Sequence, residues 1–159
     1  MKNMSKDIRA KLWSQLEKEI QYRAQRKDKS FKLCGKWKKY IRTQEGYKIF
    51  AVDGRWLRNN VSVYFGHGEH GLVDEFIPLD EIWVSTRHFY EGNSQFAKCP
   101  CKVKRRNQKV SKKYFESTII HEIMECEEIK KRKPYWPAHQ IALRAEKEAG
   151  LLSDPYDDS

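Results

Sequence analysis

The chain has 159 residues, of which 39% are hydrophobic, 13% aromatic and 34% charged, which suits one packed domain with an appended helix and is short for two domains. No run of about 20 apolar residues is present to cross a bilayer, and the charged start Met-Lys-Asn-Met-Ser-Lys-Asp-Ile-Arg9 lacks the apolar stretch of a secretory signal, so a cytoplasmic location is expected. Lys+Arg number 32 against 22 Asp+Glu, and the excess is concentrated in residues 1–48 (15 against 5) and 98–113 (8 against none), two blocks that attract polyanions.

Residues 5–27 predict a helix. Ile8, Leu12, Leu16 and Ile20 fall near one stripe, with Trp13 beside it and Ser5 as N-cap. The stripe is narrow, so residues 1–30 read as a basic helical arm that packs on the remaining chain or on a partner such as a host protein. Next comes Lys36-Trp37-Lys38-Lys39-Tyr40. Interleaved ammonium groups and rings suit phosphates and stacked bases, and Lys102, Lys104, Arg105 and Arg106 in the second basic block extend that expectation. The same pattern also fits a core tryptophan beneath lysine stems.

Tyr47–Val52 reads as a strand, Asp53-Gly54 as a turn, and Val61–Phe65 as a second strand. Gly66–Gly71 is a polar loop with three glycines and two histidines, His67 and His70. These are candidates for extra ligands or substrate contacts. Leu72–Ile77 and Glu81–Val84 are two further short strands. Residues 91–113, with Gly92, Pro100 and many cations, form a basic loop. Two helices follow. One runs from a Ser111 N-cap to about Lys131 and stops before Pro134. The other starts near Pro137 and ends at Gly150, a left-handed cap. The acidic tail is 153–159. The expected fold class is α+β: an N-terminal helix, a small, mainly antiparallel sheet and a C-terminal helix pair, with residues 31–152 as the domain.

The chemistry is concentrated in the helix pair. His121 and Glu125, four residues apart, project from one face, so an imidazole and a carboxylate on adjacent turns can grip one ion. Glu122 follows His121 as in H-E-x-x-H helices, where the glutamate is the general base for the attacking water. Here Glu125 replaces the second histidine. His139 on the next helix is the third ligand. Glu146, seven residues on, is a fourth ligand or an acceptor for a ligand's ring N–H. Two imidazoles and a carboxylate suit zinc first, then iron or manganese. Tyr135 is a candidate to stabilise an oxyanion. Cys99-Pro-Cys101 is too tight for the usual zinc-knuckle spacing; Cys34, Cys99, Cys101 and Cys126 read first as ordinary thiols, with a joint metal site as the alternative.

Three segments together carry a resemblance: Phe76-Ile-Pro-Leu-Asp-Glu-Ile-Trp-Val84, Ile120-His-Glu-Ile-Met-Glu125 and Tyr135-Trp-Pro-Ala-His-Gln-Ile-Ala-Leu-Arg-Ala-Glu146. Over roughly residues 50–146 the chain resembles a group of uncharacterised proteins of phages and other mobile elements. Their pattern is I-P-x-x-E-I-W, H-E-x-x-E-R and Y-x-x-A-H-x-x-A-x-x-x-E, preceded by V-D-G and a histidine-bearing glycine loop. That group looks like a minimal zincin-type metallopeptidase. The resemblance implies peptide or protein hydrolysis with a divalent metal, and points to His121, Glu122, Glu125, His139 and Glu146, with His70 as an extra. Two departures stand out. Cys126 occupies the arginine position, and the basic Cys99–Lys113 stretch is an insertion. The other expectations are a nucleic-acid-binding protein whose helix pair is structural or holds a non-catalytic metal, and an inhibitor or adaptor that binds a host protein through the N-terminal helix.

Overall fold

A computed structural model describes residues 37–62, 64–88, 108–154, 157 and 158. The expected helix at 5–27, Lys36, residues 91–107 of the basic loop, with Lys102, Lys104, Arg105 and Arg106, and Cys34, Cys99 and Cys101 lie outside the described residues.

The elements are β1 (Lys38–Gln44), β2 (Tyr47–Val52), α1 (Gly54–Asn60), β3 (Gly68–His70), β4 (Glu81–Ser85), α2 (Lys112–Lys130) and α3 (Tyr135–Ala149). The fold is α+β, with one mixed sheet in the order β1-β2-β4-β3. β1 and β2 form an antiparallel hairpin whose two-residue turn, Glu45-Gly46, has positive φ at both positions (51° and 86°). That is the turn geometry that matches strand twist. β2 runs parallel to β4, and β3 is antiparallel to β4 at the far edge.

β4 is buried along its whole length, because both faces of the sheet are covered. Trp83 turns to one side, into a cluster with Trp37, Val52, Trp56, Leu57, Phe65 and Ile77. Ile82 and Val84 turn to the other, where Tyr47 and Ile49 meet Ile119, Ile123 and Cys126 of α2. Each fully buried side chain of this size contributes about 1.5–3 kcal/mol, and these contacts clamp α2 across the sheet. Ser111 caps α2 by accepting the Tyr114 N–H at 3.1 Å. Arg132, at φ 68°, turns the chain back, and α3 packs against α2. Gly150 ends α3 in the left-handed conformation, with φ 68°.

Four local expectations are corrected. Asp53-Gly54 is not a hairpin turn. Asp53 is the N-cap of α1, its carboxylate accepting the Trp56 N–H at 2.9 Å. Of the expected strand Val61–Phe65, the described residues Val61, Ser62, Tyr64 and Phe65 are not in a strand: the α1 cap and a turn, in which the Phe65 N–H bonds to the Ser62 carbonyl, deliver Phe65 to the tryptophan cluster. Leu72–Ile77 is not a strand either. Its N–H groups fold back on His70 and Asp74 carbonyls, leaving Leu72 and Val73 exposed. α3 begins at Tyr135, two residues before Pro137, with Pro134 as N-cap.

Candidate metal centre

The cleft lies between β3, α2 and α3, with a volume of about 140 Å³. α2 contributes Tyr114, Thr118, His121, Glu122 and Glu125, and α3 contributes Tyr135, His139, Leu143 and Glu146. Those spacings of three and four residues put each set on one helix face. His67, Gly68 and Glu69 form the third wall. β3 approaches α2 so closely that a Cβ on Gly68 would sit 2.6 Å from Thr118 Cγ2 and 3.0 Å from Glu122 Cγ.

Three donor atoms converge. His121 Nε2 is 3.1 Å from Glu125 Oε2 and 3.1 Å from His139 Nδ1, and His139 Nδ1 is 2.9 Å from Glu125 Oε2. A zinc ion holds nitrogen and oxygen ligands at about 2.0–2.2 Å, which sets those ligand atoms about 3.0–3.5 Å apart. The triangle therefore needs only a slight opening to close on an ion. His121, Glu125 and His139 form a group that could hold one. Glu146 is not part of the triangle. Its Oε2 is 3.3 Å from His121 Nδ1 and its Oε1 accepts from Ser117 Oγ at 3.3 Å. It can thereby hold a proton on His121 Nδ1 while an ion takes the place of the proton on Nε2, which faces Glu125 and His139.

His70, Glu122 and Glu125 form a second close group, but the hydrogen bonds assign His70 another task. Its Nδ1 accepts the Leu72 N–H at 3.2 Å, so the ring proton is on Nε2 and is donated to Glu125 Oε1 at 2.9 Å. His70 thus orients the carboxylate rather than offering a lone pair. It is fully buried and belongs to a strand, not to a solvated loop.

Electrostatics separate the roles. Burial pulls His121 down, but hydrogen bonds to Glu125 and Glu146 and the charges of Glu122 and Glu146 prevail and raise it to about 10. Burial opposes ionisation of Glu125 as well. Hydrogen bonds from His121, His139 and His70 overcome it and hold the carboxyl well below the usual range. Burial pushes Glu122 up to about 7, against the opposing charges of His121 and His70 and with help from Glu125 and Glu146. Its Oε2 is buried and has no hydrogen-bond partner among the described residues. An orphaned carboxylate oxygen beside a donor triangle fits the chemistry of an ion and the water it brings.

Tyr135 is half-exposed, lines the cleft and stacks on His139 at 5.5 Å. Sequence reasoning missed His88, Glu69 and Asp74. His88 is fully buried and bonded to His67. Burial raises both carboxyls of the hydrogen-bonded Glu69–Asp74 pair, most strongly for Glu69, where Glu122 adds to it. All five histidines of the chain lie in this cleft or one hydrogen bond from it.

The polyanion expectation fares differently. Trp37 is buried in the core, and Lys38 is paired with Glu81 at 2.6 Å and lies over the Phe50 ring. Neither is presented to a ligand, whereas Lys39 and Tyr40 are exposed on β1. Cys126 packs in the α2–sheet core, and burial raises its thiol. No helix among the described residues is long and apolar enough to cross a membrane. No family model, curated protein or solved structure matches the chain.

Proposed function

We propose that this chain is a small metal-dependent hydrolase of the minimal zincin kind. It acts on peptide or protein substrates in the cytoplasm of a cell that carries a phage or other mobile element. The observation that carries the reading is the donor triangle of His121, Glu125 and His139 beside the unpartnered Glu122 Oε2. Two imidazoles and one carboxylate favour zinc, with iron or manganese as substitutes. The ion, when bound, supplies Lewis acidity to a scissile carbonyl and to the attacking water.

The chain's own residues supply everything else. Glu146 and His70 orient the ligands. Glu122, poised near neutrality, takes the proton of the attacking water, the pKa range in which a general base is most effective. Tyr135 at the rim donates towards the developing oxyanion. The likeness of segments 76–84, 120–125 and 135–146 to the phage group agrees with this assignment. The nucleic-acid reading keeps charge as its support and predicts binding that weakens steeply with salt.

Casein or a mixed peptide pool incubated with the zinc-loaded chain tests the proposal. Glu122→Gln should retain the metal and lose about 10²–10⁴-fold in turnover. Undiminished hydrolysis by that variant contradicts it.

A further inference from the structure

The cleft is acidic although the chain is basic. The net charge is +10, yet Glu69, Glu122, Glu125 and Glu146 all line the cleft, and among the described residues no Lys or Arg does. Carboxylates gathered in so enclosed a space are costly unless a cation offsets them. Glu125 and Glu146 have counterparts already. Glu125 belongs to the donor triangle, and Glu146 meets His121 and Ser117. A divalent ion in the triangle offsets the charge of these two and no more.

Glu122 and Glu69 are left over. Glu122 is only 5% exposed, and its Oε2 has no hydrogen-bond partner among the described residues. Glu69 belongs to β3, the opposite wall. It is hydrogen-bonded to Asp74, whose Oδ2 is a second buried oxygen with no such partner. The two walls therefore bring acids towards each other with nothing positive between them. A second metal ion is not what they are built for. The close group on that side needs His70, whose Nδ1 accepts the Leu72 N–H and whose Nε2 serves Glu125.

The rim asks for the same kind of ligand. Tyr135 and Trp136 are 49% and 64% exposed, and both rings stack on His139, at 5.5 and 5.6 Å. Aromatic faces are negative at their centre, so they attract cations and pack against the apolar stems that carry them. Carboxylates within and rings at the mouth together select a positively charged nitrogen on an apolar stem.

We infer that the cleft binds an ammonium group of its substrate, with Glu69 as the binding residue and Tyr135 and Trp136 flanking the stem. On the hydrolytic reading, on which the use of this site rests, Glu122 is committed to the attacking water and Glu69 is the carboxyl that remains for the substrate. The bond cleaved is then one beside a peptide's α-amino end or beside a lysine. Recognition of the ammonium itself requires no turnover.

Calorimetric titration of the zinc-loaded full chain with two matched peptide pairs tests the site. One pair is Ala-Leu-Ala-amide and its N-acetyl form. The other is N-acetyl-Ala-Lys-Ala-amide and the same peptide with norleucine for lysine. In at least one pair the ammonium peptide should bind tenfold or more tighter than its neutral partner, and the pair that shows this names the source. Glu69→Gln should abolish the preference while the chain keeps its zinc. A ratio below tenfold in both wild-type pairs, which needs no variant to fold, overturns the inference. So does a preference that survives in Glu69→Gln, because the amine then sits on the ion or elsewhere. Failure of the hydrolytic reading looks different: no peptide is cleaved on long incubation while the affinity ratio stands.

Discussion

Glu146 and Glu125 are both buried glutamates beside His121, yet their chemistry differs. Glu125 gathers three imidazoles onto two oxygens, whereas Glu146 meets one imidazole, at the far nitrogen of His121, and the Ser117 hydroxyl. Removing the Glu146 charge should therefore leave the triangle in place and weaken its hold. Glu146→Gln is expected to lower zinc affinity about 10–100-fold, the usual effect of losing a ligand's hydrogen-bond partner, as read by competition with a chromogenic chelator. An affinity equal to wild type would show that Glu146 does not orient His121. At this scale the sequence was informative where a helix fixes spacing: His121, Glu122 and Glu125 share a helix, and the cleft contains all three. It was silent on Glu69, Asp74 and His88. They reach the site through β3, the turn after it and the end of β4, and no local periodicity records those long-range placements.

Helix and strand identity was readable to different depths. α2 and α3 carry a serine cap, a proline stop and a glycine end, and these signals act within a few residues. β2 and β4 are apolar runs with nothing local to compete. Val61–Phe65 and Leu72–Ile77 have strand composition, but the sheet has no neighbour to pair with them. Backbone N–H groups that cannot find a ladder turn inward to local carbonyls. The position that couples sheet to helix is Gly68. Gly68→Ala would drive a methyl group into Thr118 Cγ2 at 2.6 Å, an overpacking expected to cost about 1–3 kcal/mol and to reduce metal affinity as β3 withdraws. Adding Thr118→Ser, which removes that methyl, should restore part of the loss. Chemical denaturation of the two variants checks this, and a Gly68→Ala variant as stable as wild type would contradict the close approach.

For the whole molecule, the site couples stability to pH and to metal. In chelated protein, His121 folds with a pKa of about 10 against about 6.5 unfolded. Its contribution is complete below about pH 6.5 and is lost as pH rises through 10. Glu122, raised to about 7, acts in the same direction, because its charged form is disfavoured in the folded state. Glu125 is depressed, so its contribution disappears only as strong acid protonates it. The melting temperature of the chelated chain should therefore fall from about pH 6 to pH 10. An ion must displace the His121 proton, so zinc should bind more tightly over the same interval, and the melting curves with and without zinc should diverge as pH rises. Curves that stay parallel would mean that the ion binds elsewhere. The most direct test of the centre is metal stoichiometry by mass spectrometry after zinc loading and desalting, on the wild-type chain and on His121→Ala. The triangle predicts about one zinc per wild-type chain and none in the variant. No uptake by the wild type, or equal uptake by both, would contradict it.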